Sequence, residues 1–208
     1  AFDPVNGGWG RAPKFPQPML IEALLRRHVA GGGERPLQIA RRSLDAMAAG
    51  GVRDQLGGGF HRYSTDAHWL VPHFEQMLYD NAQLARVYVH AWALTGDPVY
   101  LETAMGTLGY LLRELRMPDG GFAASQDADT DGEEGATFVW SAAEIREVLG
   151  ADAALFTAAY GATDEGNWEG HTILSRTRDD AELGERFGLE PAAVDERLTA
   201  SRRLLLER

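Results

Sequence analysis

Apolar residues recur at intervals of three and four through most of the chain, and the helices this predicts come in pairs punctuated by glycine and proline. Over residues 18–30, Met19, Ala23 and the neighbouring leucines share one face, and Gly31-Gly32-Gly33 ends the helix. Pro36 suits a first helical position, and Ile39, Ala40, Leu44 and Met47 form the next apolar stripe, stopped by Gly50-Gly51. A third helix is predicted over about 72–94. Thr95-Gly96-Asp97-Pro98 then separates it from a fourth over about 99–116, which makes two helical hairpins. Shorter helices are predicted at about 142–149, 152–160, 181–187 and 191–206. Residues 198–208 carry no stop signal, so a longer chain is expected.

The turns between these helices repeat as well. Gly7-Gly8-Trp9, Gly58-Gly59-Phe60 and Gly120-Gly121-Phe122 each put a double glycine before an aromatic, about fifty to sixty residues apart, and Gly166-Asn167-Trp168 is a looser fourth. A hairpin of helices cannot bury its apolar face alone, so a recurring hairpin with a recurring turn predicts hairpins stacked in a ring. The glycines permit positive φ and close backbone approach, and the aromatic folds back as a wall.

Composition narrows the function. With 208 residues and 44% hydrophobic content, the chain can bury a core as one domain over 1–208. The formal net charge of -11 argues against a nucleic-acid or anionic-membrane surface, both of which need clustered Lys and Arg, and favours a neutral or cationic small molecule. There is no apolar run of about 18 residues and no charged-then-apolar leader at the N-terminus, so a cytoplasmic location is expected. The absence of cysteine excludes disulfides and thiol chemistry within these residues.

Chemistry concentrates in LGGGFHRYSTDAHWLVPHFEQMLYDNA, residues 56–82, which holds His61, His68 and His73 of only six histidines. Histidine titrates nearest neutrality, so the clustering points to proton transfer. With Pro72 read as the first residue of a helix, His73, Gln76 and Asp80 share a face, and Glu75 sits favourably in the first turn. His61, His73, Glu75 and Asp80 are the candidate acid–base groups; Arg62, Tyr63, His68 and Trp69 are candidate sugar contacts, because aromatic faces stack on sugar rings and Arg or His donors suit hydroxyls. Hydrogen bonding to neighbouring helix ends is the structural alternative for Asp80-Asn81.

A second acidic cluster, SQDADTDGEEG, spans residues 125–135. Asp127, Asp129, Asp131 and Gly132 match the first half of an EF-hand loop, but Phe138 stands where the bidentate glutamate belongs, so no metal is assigned. The expected role is a solvated loop with Gln126 and Asp127 at the rim of a pocket beside Phe122. Asp127 with Glu75 or Asp80 would form a two-carboxylate hydrolase pair. No P-loop, dinucleotide fingerprint, HExxH or GxSxG motif occurs, and no cofactor is expected.

GGWGRAPKFPQP (7–18), the 56–82 block, GGFAASQDADTDGEEGATFVW (120–140) and GNWEGHTIL (166–174) resemble the helical portion of the spermatogenesis-associated thioredoxin-domain protein family. Gln76 and Trp168 depart from that family's usual lysine and phenylalanine. The resemblance implies an all-α, partial (α/α)6 toroid similar to six-hairpin glycosidases and N-acylglucosamine 2-epimerases, with short β segments in loops. It also implies a thioredoxin-like domain and later hairpins outside this stretch, so that the fragment self-associates through uncovered apolar faces. In related toroids, histidines and carboxylates at helix ends and loops do proton chemistry, which favours His61, His73, Glu75 and Asp80, with Asp127 on a neighbouring turn. Trp168 joins the candidate contacts.

Two functions are consistent with these residues. One is a carbohydrate-active enzyme, a sugar epimerase or isomerase with a glycosidase as a variant. The other is a non-catalytic binding or scaffold module serving the thioredoxin-like domain.

Overall fold

The computed structural model describes residues 1–208 throughout. The chain divides into two compact units, Ala1–Ala136 and Thr137–Arg208.

The first unit is built on two helical hairpins, α1 (Pro18–Val29) with α2 (Glu34–Ala49) and α3 (Leu78–Thr95) with α4 (Pro98–Tyr110), and α1 also packs on α3. Ile21 and Leu25 of α1, Leu44 and Met47 of α2, Leu84, Val87 and Tyr88 of α3 and Tyr100 of α4 meet in one core, which Phe60 and Trp69 complete from the intervening loop. Asp97 caps α4 by accepting from Val99 N–H, with Pro98 at the first position, as the sequence break implies. Beyond Tyr110 the helix widens into one π-helical stretch, Leu111–Leu115, before it stops.

The third helix departs from the expectation in a way that matters for the site. It begins at Leu78, six residues after Pro72. Residues 72–77 are extended: β2 (Pro72–His73) pairs antiparallel with β1 (Tyr63–Ser64), and β3 (Gln76–Met77) pairs with β4 (Ser125–Gln126). Burial follows the strand period, with Pro72, Phe74 and Gln76 buried and His73, Glu75 and Met77 half-buried between them. Proline favours a helix start only where the following residues lack better backbone partners. Here the backbone is claimed by neighbours, as in Arg62 N–H donating to Glu75 O at 2.7 Å and Leu78 N–H donating to Ala124 O at 2.9 Å.

Each repeated turn aromatic sits in an isolated antiparallel bridge: Trp9 with Phe2, Phe60 with Arg53, Phe122 with Arg116 and Trp168 with His171. The glycines let these turns press on neighbouring backbone or rings. A Cβ on Gly58 (φ +87) would lie 2.5 Å from Gly106 O on α4, and one on Gly8 (φ +73) would lie 2.4 Å from the buried Trp69 ring. The acidic segment forms a tight hairpin, β5 (Asp129–Thr130) with β6 (Glu133–Glu134), turned by Asp131 and Gly132, both at positive φ. This hairpin is not flanked by a pair of helices, and no group of three or more His, Asp or Glu side chains in the chain is clustered as a metal ion would need.

The second unit contains α5 (Ala142–Leu149), α6 (Ala153–Tyr160), α7 (Asp180–Phe187) and α8 (Pro191–Leu206), with β7 (Val139–Trp140) paired to β8 (Thr172–Ile173). Capping boxes at Ser141 with Glu144 and at Asp179 with Glu182 start α5 and α7, each satisfying two backbone or hydroxyl donors at the helix entrance. No helix in the chain is long and apolar enough to cross a membrane.

Candidate functional site

The β1–β2 pairing sets Tyr63 opposite His73, and the two rings stack at 5.1 Å between centroids. Phe15, 43% exposed, packs tilted against Tyr63 with the ring centroids 5.0 Å apart, so Tyr63 contacts both His73 and an exposed aromatic ring. Because His73 and Glu75 are two apart on an extended strand, both project to the same side. Glu75 takes an ion pair from Arg62 at 2.8 Å and lies 3.7 Å from His73 Nε2. His73 Nδ1 lies 2.8 Å from a carboxylate oxygen of Glu134, which β6 supplies.

Asp80, in the first turn of α3, adjoins this group. Burial pushes its carboxyl up to about 6, with Glu75 adding to the rise while Arg62 and a hydrogen bond from Tyr79 oppose it. A carboxylic acid raised to about 6 near an arginine and a second carboxylate can exchange protons with a bound molecule close to neutral pH. Arg62, Tyr63, His73 and Glu75 are therefore brought together by strand pairing and not by the face of a helix, and Asp80 joins them from α3 through its electrostatic interaction with Arg62 and Glu75.

The other expected residues are placed differently. His61 is buried, its Nδ1 donating to Phe74 O at 2.9 Å with the Phe74 ring edge against it. Burial lowers its pKa to about 4, which keeps the ring uncharged at neutral pH, and the structure sets it in the core behind the strand that carries Phe74. Trp69 is fully buried, and its indole N–H donates to Asn6 O at 3.0 Å, so its ring packs in the core and not on the surface. His68 is on the surface of the same loop, its Nδ1 3.1 Å from Asn6 Oδ1. Gln126 accepts from the Tyr110 hydroxyl at 3.1 Å and pairs through its backbone with Gln76. Asp127 is exposed and accepts from Asp129 N–H within its own turn. Phe122 is 42% exposed, and Trp168 lies in the second unit.

Three contributors went unread in the sequence. Glu134 is hidden in a run of acids, and only its hairpin register brings it to His73. Phe15 is a lone aromatic between prolines with no periodicity around it. Lys14 is fully buried, its ammonium donating to Asp3 at 2.7 Å, Gly7 O at 2.9 Å and Ala67 O at 2.8 Å, which ties the N-terminal segment to the loop carrying Trp69. Away from this cluster, a cavity of about 390 Å³ opens between α1 and α3, walled by Leu25, Val29, Ala93 and Leu94, with the Glu22–His90 ion pair at its edge. None of the expected site residues lines it.

No family model matches the chain. Over 224 residues it is 41% identical to human and 39% identical to rat spermatogenesis-associated protein 20, with 93% of this chain matched. Over nearly its whole length the chain is similar to that family. It spans 28% of the length of the human and rat spermatogenesis-associated protein 20 chains. Among solved structures, a sugar epimerase from a ruminal bacterium superposes on 96% of this chain and 48% of its own, with a TM-score of 0.55 at 14% identity. That likeness is one of fold, and it makes the architecture of this spermatogenesis-associated protein 20 relative a partial α/α toroid of helical hairpins with short strands in its loops.

Proposed function

We propose that the chain belongs to a carbohydrate-active toroid that moves protons at a sugar carbon, as a sugar epimerase or isomerase does. The observation that carries this reading is the Asp80 carboxyl, raised to about 6 within the group that also holds Arg62 and Glu75. Asp80 supplies the acid, and His73 Nε2, beside Glu75, supplies the base. The exposed Phe15 ring beside Tyr63 offers an apolar face for a sugar ring, and Arg62 offers hydroxyl donors. The likeness of fold to a sugar epimerase supports the substrate class by analogy. A glycosidase is the variant reading, in which Asp80 protonates a leaving oxygen.

The test is deuterium incorporation at sugar carbons over a panel of free and N-acylated sugars, because proton abstraction leaves a label. Exchange with at least one sugar is expected, and His73→Gln or Asp80→Asn should lower it by at least 10²-fold, the order of a lost acid–base group. Undiminished exchange in both variants removes these residues from the mechanism.

One observation favours a second reading, a non-catalytic binding or scaffold module attached to a thioredoxin-like domain. Much of the polar block is spent internally: His61 holds Phe74 O, and Asn81 holds both backbone groups of Phe60. Sugar binding without exchange at any carbon would select this reading.

A further inference from the structure

Glu134 reaches the site from the base of the acidic hairpin, and its carboxylate is fixed from several directions. One oxygen, Oε1, accepts from His73 Nδ1 at 2.8 Å and from Phe74 N–H at 3.3 Å. The next residue, Gly135, has φ +74, and a Cβ there would sit 2.5 Å from the Phe74 ring, so only glycine lets the strand lie this close. Gly135 N–H closes the hairpin on Ala128 O at 2.9 Å. The side chain of Glu134 is 45% exposed, and its carboxylate makes these two hydrogen bonds to the His73–Phe74 strand.

Those bonds decide which nitrogen of His73 is free. A carboxylate only accepts, so Nδ1 carries the hydrogen in the neutral ring and Nε2 keeps its lone pair. Tyr63, stacked on the ring, fixes its plane, and Nε2 then faces Glu75 at 3.7 Å. Left to itself a histidine side chain favours the opposite tautomer, with hydrogen on Nε2, which cannot accept a proton there. The remaining charged group in the set, Arg62, is engaged by Glu75.

We propose that Glu134 is the positioning residue of this site: it holds His73 in the Nδ1–H tautomer so that Nε2 is the proton acceptor. When Nε2 takes a proton from substrate, the imidazolium keeps both N–H bonds and Glu134 faces its positive charge. No proton passes to Glu134. The catalytic half of this statement rests on the proposed sugar chemistry, whereas the tautomer is a property of the resting protein.

Long-range proton–nitrogen correlation spectra of the full chain, labelled with 15N-histidine, read the tautomer directly, with His73→Gln to assign the signals. The wild type should show His73 protonated on Nδ1. In Glu134→Ala the population should move toward Nε2–H, while Glu134→Gln, whose amide oxygen still accepts, should restore Nδ1–H. A wild-type His73 protonated on Nε2, or a tautomer unmoved in Glu134→Ala, overturns the proposal, and the first of these does not depend on any variant folding. If the sugar panel shows exchange, Glu134→Ala should lower it on the order of 10²-fold or more, and Glu134→Gln should recover part of the loss. Absence of exchange with the Nδ1–H tautomer intact removes the sugar chemistry and leaves the Glu134–His73 pairing standing.

Discussion

Asn81 grips the peptide groups of Phe60 from both sides: its Oδ1 accepts from Phe60 N–H at 2.7 Å and its Nδ2 donates to Phe60 O at 2.9 Å and to Met77 O at 3.0 Å. All of this is buried, and it locks α3, the first helix of the second hairpin, to the Gly58-Gly59-Phe60 turn.

Replacing Asn81 by aspartate keeps the size but removes both donated bonds and introduces a buried charge facing two carbonyl groups. The expected loss is about 2–4 kcal/mol in urea unfolding, since unsatisfied buried carbonyls and an uncompensated charge both count against the folded state. A change below about 0.5 kcal/mol would show that the clamp is not what holds this turn.

Lys14→Met should cost about 3 kcal/mol, because it strands Asp3 and two carbonyl groups. Asp3 also fixes the sign of the pH dependence. Its carboxyl is held well below the usual range, first by the Lys14 ammonium and then by Asn6. The contribution of this pair is therefore present above the unfolded carboxylate value of 3.8 and is lost as pH falls further. The stability gap between wild type and variant should narrow below about pH 4; a constant gap down to pH 2 would contradict the assignment.

Asp80 has the opposite sign. A carboxyl raised to about 6 in the folded chain favours folding while protonated, and that contribution disappears as pH rises from about 4 through 6. Asp80→Asn should accordingly gain about 1–2 kcal/mol relative to wild type between pH 4 and pH 7. Carboxyl carbon NMR should place the Asp80 midpoint near 6, and a midpoint near 4 would remove it as the acid of the site.

Met105 and Leu108 on α4, with Leu112 just beyond, are 60%, 40% and 58% exposed, and they line up along one side of the helix. We expect this stripe to bind a hydrophobic dye and to promote self-association at high concentration. Met105→Lys with Leu112→Glu should reduce both. A monomeric wild type that takes up no dye in light-scattering and fluorescence measurements would count against it.

The sequence by itself determined most of the helices. Residues 18–29, 34–49 and 191–206 are helical within a residue or two of where apolar period, proline and glycine place them, because those signals act between residues a turn apart. It also located the repeated turns, each of which sets its aromatic residue in an antiparallel bridge. Tertiary structure decided the rest, and the reason is that hydrogen bonds between distant segments outcompete a local preference. Pro72 reads as a helix start until strands from residues 63–64 and 125–126 claim its neighbours, and that pairing puts His73 and Glu75 on one side. His61 and His73 are alike as letters, yet burial neutralises one while the other stacks half-exposed on Tyr63. Glu134 reaches His73 across sixty-one residues of chain, a separation at which no periodicity in the sequence survives.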